Sequence, residues 1–135
     1  MTLVHFLLFT IVLAAASPAA LPTVAPAVMH AAMPTFNERN SWFTAHAGAP
    51  FQIRMTVTSG TGYTWEPVGP LPPGVTLLGV FAAAQARSMP GSPSREVLVF
   101  RAANAGTAHL KLAYVRPWER STPPAKTAAF TIRVQ

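Results

Sequence analysis

The chain is 135 residues long and carries a formal net charge of +6, with ten Lys and Arg against four acids. It has no cysteine, which excludes disulfides, thiolate metal sites and a cysteine nucleophile, and no aspartate, which removes the Ser-His-Asp constellation. The basic residues are scattered and no nucleic-acid-binding motif accompanies them. The charge therefore reads as a solubilising surface, with attraction to an acidic protein partner as its one specific use.

Leu3 to Ala16 form an apolar run, followed by small-residue cleavage sites at Ala14-Ala15-Ala16 and Ser17-Pro18-Ala19. The run is shorter than the ~20 residues a spanning helix needs. Residues 1–19 are thus expected to be a signal peptide and the mature chain to be secreted or periplasmic, with no stable membrane insertion after leader removal. No Lys or Arg precedes the run, which is unusual for a leader. Residues 20–37 are rich in Ala and Pro and hold no Lys, Arg or Glu. They predict a flexible segment. Residues 38–135 are expected to form the domain.

Within that domain apolar residues recur with a period of two, as half-buried strands require. One strand is expected around Trp42 to Ala47 and a second over Phe51, Ile53, Met55 and Val57. A shorter one starts near Val75, after the Pro72-Pro73-Gly74 turn. The alternation returns at Leu98, Phe100 and Ala102, at Leu110, Leu112 and Tyr114, and at Phe130, Ile132 and Val134. Ala82 to Ala86 has helix propensity but is too short to stand alone. About seven short strands joined by turns predict an all-β, two-sheet antiparallel sandwich with Trp65 inside.

Two connecting segments stand out. Thr58-Ser59-Gly60-Thr61-Gly62-Tyr63-Thr64-Trp65 sets two glycines among small hydroxyl residues, a tight connection in which glycine supplies positive φ at no steric cost. In Leu112-Ala113-Tyr114-Val115-Arg116-Pro117-Trp118-Glu119 an alternating strand ends in a cation, a φ-locked proline and a bulky aromatic side chain. Trp and Arg are the residues most enriched at protein–protein hot spots, and a rigid proline lowers the ordering cost of presenting them.

In this order and separation the two segments resemble the chagasin family of cysteine-peptidase inhibitors, which carry an Asn-Pro-Thr-Thr-Gly-Tyr/Phe-x-Trp loop, a glycine-rich loop and a Tyr-x-Arg-Pro-Trp loop. The likeness covers roughly Phe43 to Val134 and includes Gly48 to Ile53, Leu98 to Ala102 and Ala105 to Leu110. It implies an immunoglobulin-like β-sandwich and a monomer that reversibly inhibits papain-like cysteine peptidases by inserting a three-loop wedge into the cleft. The first loop (Thr58, Ser59, Gly60, Thr61, Gly62, Tyr63) would enter the catalytic centre. The second, Arg87 to Ser94 with Met89, Pro90, Gly91, Ser92 and Pro93 at its centre, would cover neighbouring subsites as an extended segment. The third (Arg116, Pro117, Trp118) would pack on aromatic surface beside the cleft.

Where the family has Asn-Pro-Thr-Thr-Gly, this chain has Thr58-Ser59-Gly60-Thr61-Gly62, losing a proline and a hydroxyl and gaining a glycine. Ordering a freer loop costs on the order of 1 kcal/mol per residue, and a missing hydrogen bond about 0.5–1.5 kcal/mol. An affinity about one to two powers of ten below that of the family's own loop follows. The second loop has Pro90 and Pro93 in place of paired glycines. The alternative function is a non-inhibitory immunoglobulin-like adhesion or carbohydrate-binding module of the cell envelope, with Trp118 and Tyr63 stacking on sugars.

Nothing in the residues argues for an enzyme, a cofactor or a metal. His5 lies in the leader, and His30, His46 and His109 share no metal-ligand spacing. The glutamates (Glu38, Glu66, Glu96, Glu119) fall one per segment, and no phosphate-cradling glycine motif is present. The expected partner is a papain-like cysteine peptidase, not nucleic acid.

Overall fold

The computed structural model describes residues 33–83 and 89–135. The expected signal peptide, most of the Ala/Pro-rich segment with His30, most of the short alanine run, and Arg87 and Ser88 lie outside the described residues. Eight strands follow one another in the chain: β1 (Thr35–Asn37), β2 (Trp42–Ala45), β3 (Pro50–Thr58), β4 (Thr64–Pro67), β5 (Val75–Ala82), β6 (Pro93–Ala102), β7 (Gly106–Val115) and β8 (Lys126–Val134). They form two four-stranded sheets, in the orders β1-β3-β6-β5 and β2-β8-β7-β4. The fold is an immunoglobulin-like sandwich, all-β among the described residues.

Alternation is what makes these strands. Phe51 and Ile53 of β3 lie opposite Phe100 and Leu98 of β6 in the same sheet, and with Met55 and Ala102 all are buried. Leu110, Leu112 and Tyr114 of β7 and Phe130, Ile132 and Val134 of β8 line the inner face of the other sheet. Each fully buried side chain of this size contributes roughly 1.5–3 kcal/mol. Trp65 joins them at 4 % exposure, as the alternation requires. Its indole N–H donates to Thr56 O at 3.0 Å, so the polar end of the ring is satisfied on the opposite sheet.

Two features depart from the expected antiparallel sandwich of about seven strands. The edge strands β1 and β2 pair in parallel, with β3 and β8 respectively. An Asx turn makes this possible. Asn37 Oδ1 accepts from Arg39 N and Asn40 Oδ1 accepts from Asn37 N, so the chain leaves one sheet and enters the other within four residues. Phe36 of β1 then stacks on Phe43 of β2 with ring centroids 3.7 Å apart, and Phe43 meets Phe51 edge-on at 5.6 Å. Those aromatic contacts draw Thr35–Asn37 into the sheet, although composition places these residues in the Ala/Pro-rich segment.

The ladders set where the loops emerge. Thr58 at the end of β3 is paired with Pro93 at the start of β6, and Val115 at the end of β7 with Thr64 at the start of β4. The connections before β4, before β6 and after β7 therefore gather at one pole.

Candidate functional site: three loops at one pole

The first loop, between β3 and β4, turns on two glycines. Gly60 and Gly62 have φ of +79° and +77°, a region closed to most L side chains, and no non-glycine residue does so among the described residues. The Thr61 hydroxyl donates to Thr58 O at 2.7 Å, closing the loop on itself. Thr58 N donates to the hydroxyl of Tyr114 at 2.8 Å, fastening the loop's start to the other sheet.

The second loop is a tight turn at Met89-Pro90-Gly91-Ser92. Ser92 N donates to Met89 O at 3.0 Å, and Gly91 has φ +83°. Proline at the second position and a positive-φ glycine at the third define a type II turn. The Ser92 hydroxyl also donates to Met89 O at 2.6 Å. This segment was expected to be extended; proline and glycine in succession fold it back instead.

First and second loops are joined. Ser59 N donates to Ser92 O at 3.0 Å and Gly91 N to Ser59 O at 2.8 Å, which carries the β3–β6 ladder past the last paired strand residues. A methyl group on Gly60 would rest 3.5 Å from Pro90 Cβ, so the two turns are in contact.

The third loop opens with a turn over Arg116-Pro117-Trp118-Glu119, where Glu119 N donates to Arg116 O at 2.9 Å. Proline at its second position presets the turn and lifts Trp118 outward, leaving it 68 % exposed. The indole nonetheless lies over the first loop: a methyl on Gly62 would come within 2.2 Å of Trp118 Cη2. Only glycine fits there, for both its φ and this approach. Arg116 Nε donates to Thr61 O at 3.0 Å, and its guanidinium carbon lies 4.6 Å from the centroid of the Tyr63 ring. Tyr63 is in turn stacked on Tyr114 at 4.9 Å.

Every candidate residue that is described thus lies at the same pole, with Gly60 against Pro90 and Gly62 against Trp118. Two parts of the arrangement were not foreseen. The hydroxyl of Tyr114 anchors the first loop, and Arg116 points along the chain's own backbone. The alternation and the Tyr-x-Arg-Pro-Trp likeness both single out Tyr114, but neither gives its hydroxyl the role of accepting from Thr58 N. Glu96, one of the scattered acids, reaches inward to accept from Trp65 N at 2.9 Å and from the Thr64 hydroxyl, fixing the start of β4 just beyond the first loop. His46 and His109 are exposed, and no group of three metal-ligating side chains occurs among the described residues.

Fold and loops together define a β-sandwich with three loops joined at one tip. A family model for Chagasin family peptidase inhibitor I42 matches residues 44–134, and the chain belongs to that family, whose members are inhibitors and not enzymes. Among solved structures it is similar to the cysteine protease inhibitor EhICP2 from Entamoeba histolytica, with 21% sequence identity and a TM-score of 0.62, over 76% of this chain and 96% of that one. It is likewise similar to amebosin, solved in solution, with 23% identity and a TM-score of 0.61, over 76% of this chain and 98% of that one. No curated protein matches it by sequence.

Proposed function

We propose that this chain is an exported, reversible, tight-binding inhibitor of papain-like cysteine peptidases, acting as a monomer that inserts its three-loop tip into the active-site cleft. The observation that carries the reading is the contact between Gly62 and Trp118, with Gly60 against Pro90 beside it. Loops far apart in sequence are in contact with one another, and together they would be offered to a groove. Family membership supplies the class of activity and the joined loops supply the means.

Gly60 and Gly62 carry no side chain and the Thr61 hydroxyl is turned back onto Thr58 O, so this backbone, flanked by the Trp118 indole, would face the peptidase's cysteine and histidine. Trp118 and Met89, exposed on either side, would spread onto the walls of the cleft. No covalent step is involved. Affinity comes from apolar burial by a surface already ordered before binding, which keeps the entropic cost of association low. The loop runs as a turn and not as an extended substrate, so no peptide bond lies along the cleft for cleavage.

Titration of papain with the mature protein tests the reading. Hydrolysis should fall to zero in proportion to inhibitor added and recover fully on dilution. Undiminished hydrolysis at micromolar excess would remove it.

A further inference from the structure

The arginine of the third loop is engaged inside the chain. Arg116 Nε holds Thr61 O, its ring-facing plane covers Tyr63, and Nη1 donates to Glu119 Oε1 at 3.1 Å. Thr61 and Tyr63 are the two neighbours of Gly62. The loop's other half is tied separately, through Thr58 to Tyr114 and through Ser59 to Ser92. The half that carries Gly62 has Arg116 as its link to the third loop's backbone, together with the indole lying over it. Glu119 is brought to the guanidinium by the turn that Pro117 presets, and Thr122 N donates back to Glu119 O at 3.1 Å, fixing that turn's end.

The geometry points to Glu119 as a positioning residue for Gly62: by fixing Arg116 it holds the first loop in its binding shape before any partner arrives, and Arg116 serves the loop and not the peptidase. This rests on the inhibitor reading and adds to it a residue outside the three loop motifs. It also supplies what the sequence lacks, since a loop with two glycines and no proline needs an outside brace. The Arg116–Glu119 pair is about one-third exposed on each side, at 34%/34%, so its effect is modest. Loss of Glu119 is expected to weaken inhibition roughly two- to fivefold. Loss of Arg116 removes the Thr61 bond and the ring contact as well, for about tenfold.

The test compares wild type, Glu119→Gln, Arg116→Gln and the double variant. Backbone ¹⁵N order parameters are measured on the free protein, and inhibition constants against several cysteine peptidases. Glu119→Gln should lower order at Thr61 and Gly62 while leaving Ser59 and Ser92 unchanged, with a melting temperature within about 2 °C of wild type. Its loss of inhibition should be the same factor for every peptidase, because it acts on the unbound loop. In the Arg116→Gln background it should add nothing further. Unchanged order at Gly62, a factor that differs between peptidases, or additive losses would each overturn the assignment. Absence of inhibition by wild type would instead remove the inhibitor reading, and the order parameters would still decide the positioning role.

Discussion

Three tryptophans show how one residue type divides its roles by register. Trp65 alternates inward between Thr64 and Glu66 and is buried; Trp118 follows a proline in a turn and is mostly exposed, as is Trp42 on its edge strand. Replacing Trp65 by Ala should destabilise the fold by about 3–5 kcal/mol, seen as a lowered melting temperature, because a large cavity opens between the sheets. Trp118→Ala should leave the melting temperature nearly unchanged and weaken inhibition at least about tenfold, the usual loss at a hot-spot aromatic. A reversal of the two patterns would mean that Trp118, not Trp65, is structural. Gly62 belongs with Trp118 at this scale, since the indole occupies the space a β-carbon would take.

At the scale of loops and strands, the replacement of the family's proline by Ser59 has a visible counterpart. Ser59 N–H bonds to Ser92 O, which proline could not do. The chain stiffens its first loop by extending a ladder, and part of the entropic loss expected from the sequence is thereby offset. Ser59→Pro would gain about 0.4–1 kcal/mol from a stiffer unfolded chain and lose about 0.5–1.5 kcal/mol of hydrogen bonding. The net runs from about 0.5 kcal/mol gained to about 1.1 kcal/mol lost, so measured inhibition should stay within roughly sixfold of wild type. A large improvement would show that the ladder bond adds little order. The long strands were legible because β3, β6, β7 and β8, each nine or ten residues long, hold at least three buried apolar residues spaced by two. Of the short edges, β2 falls within the strand expected around Trp42 to Ala47, whereas the three residues of β1 are too few to show a period and the parallel pairing of both depends on Phe36 meeting Phe43. The loop residues were legible as a motif, whereas the bonds from Tyr114 and Arg116 that hold them are tertiary and left no local pattern.

For the molecule as a whole, acid sensitivity has an identifiable component. Burial pushes the Glu38 carboxyl up, but hydrogen bonds from the Thr56 N–H and hydroxyl and the nearby charges of Lys126 and Arg95 outweigh it, so the group sits below its ordinary range. A carboxyl lowered on folding adds stability above its unfolded value, near 4.3, and that contribution fades as pH falls through the folded value. Glu38→Gln should flatten the acid limb of the melting-temperature profile below about pH 4.3 while changing little at neutral pH beyond the lost charge pairing. Equal acid slopes in both proteins would place the sensitivity elsewhere.

The tip is fastened by main-chain hydrogen bonds and stacked rings, with no sulfur–sulfur link anywhere in the chain. Thiol-dependent peptidases work only while their nucleophile stays reduced, in surroundings that would sever the cross-links of a cystine-stapled antagonist. This chain has no such cross-link to lose, so with the target proposed above enzyme and antagonist are expected to remain competent under the same reductants, and oxidation of the enzyme would leave no disulfide to form or break in its partner.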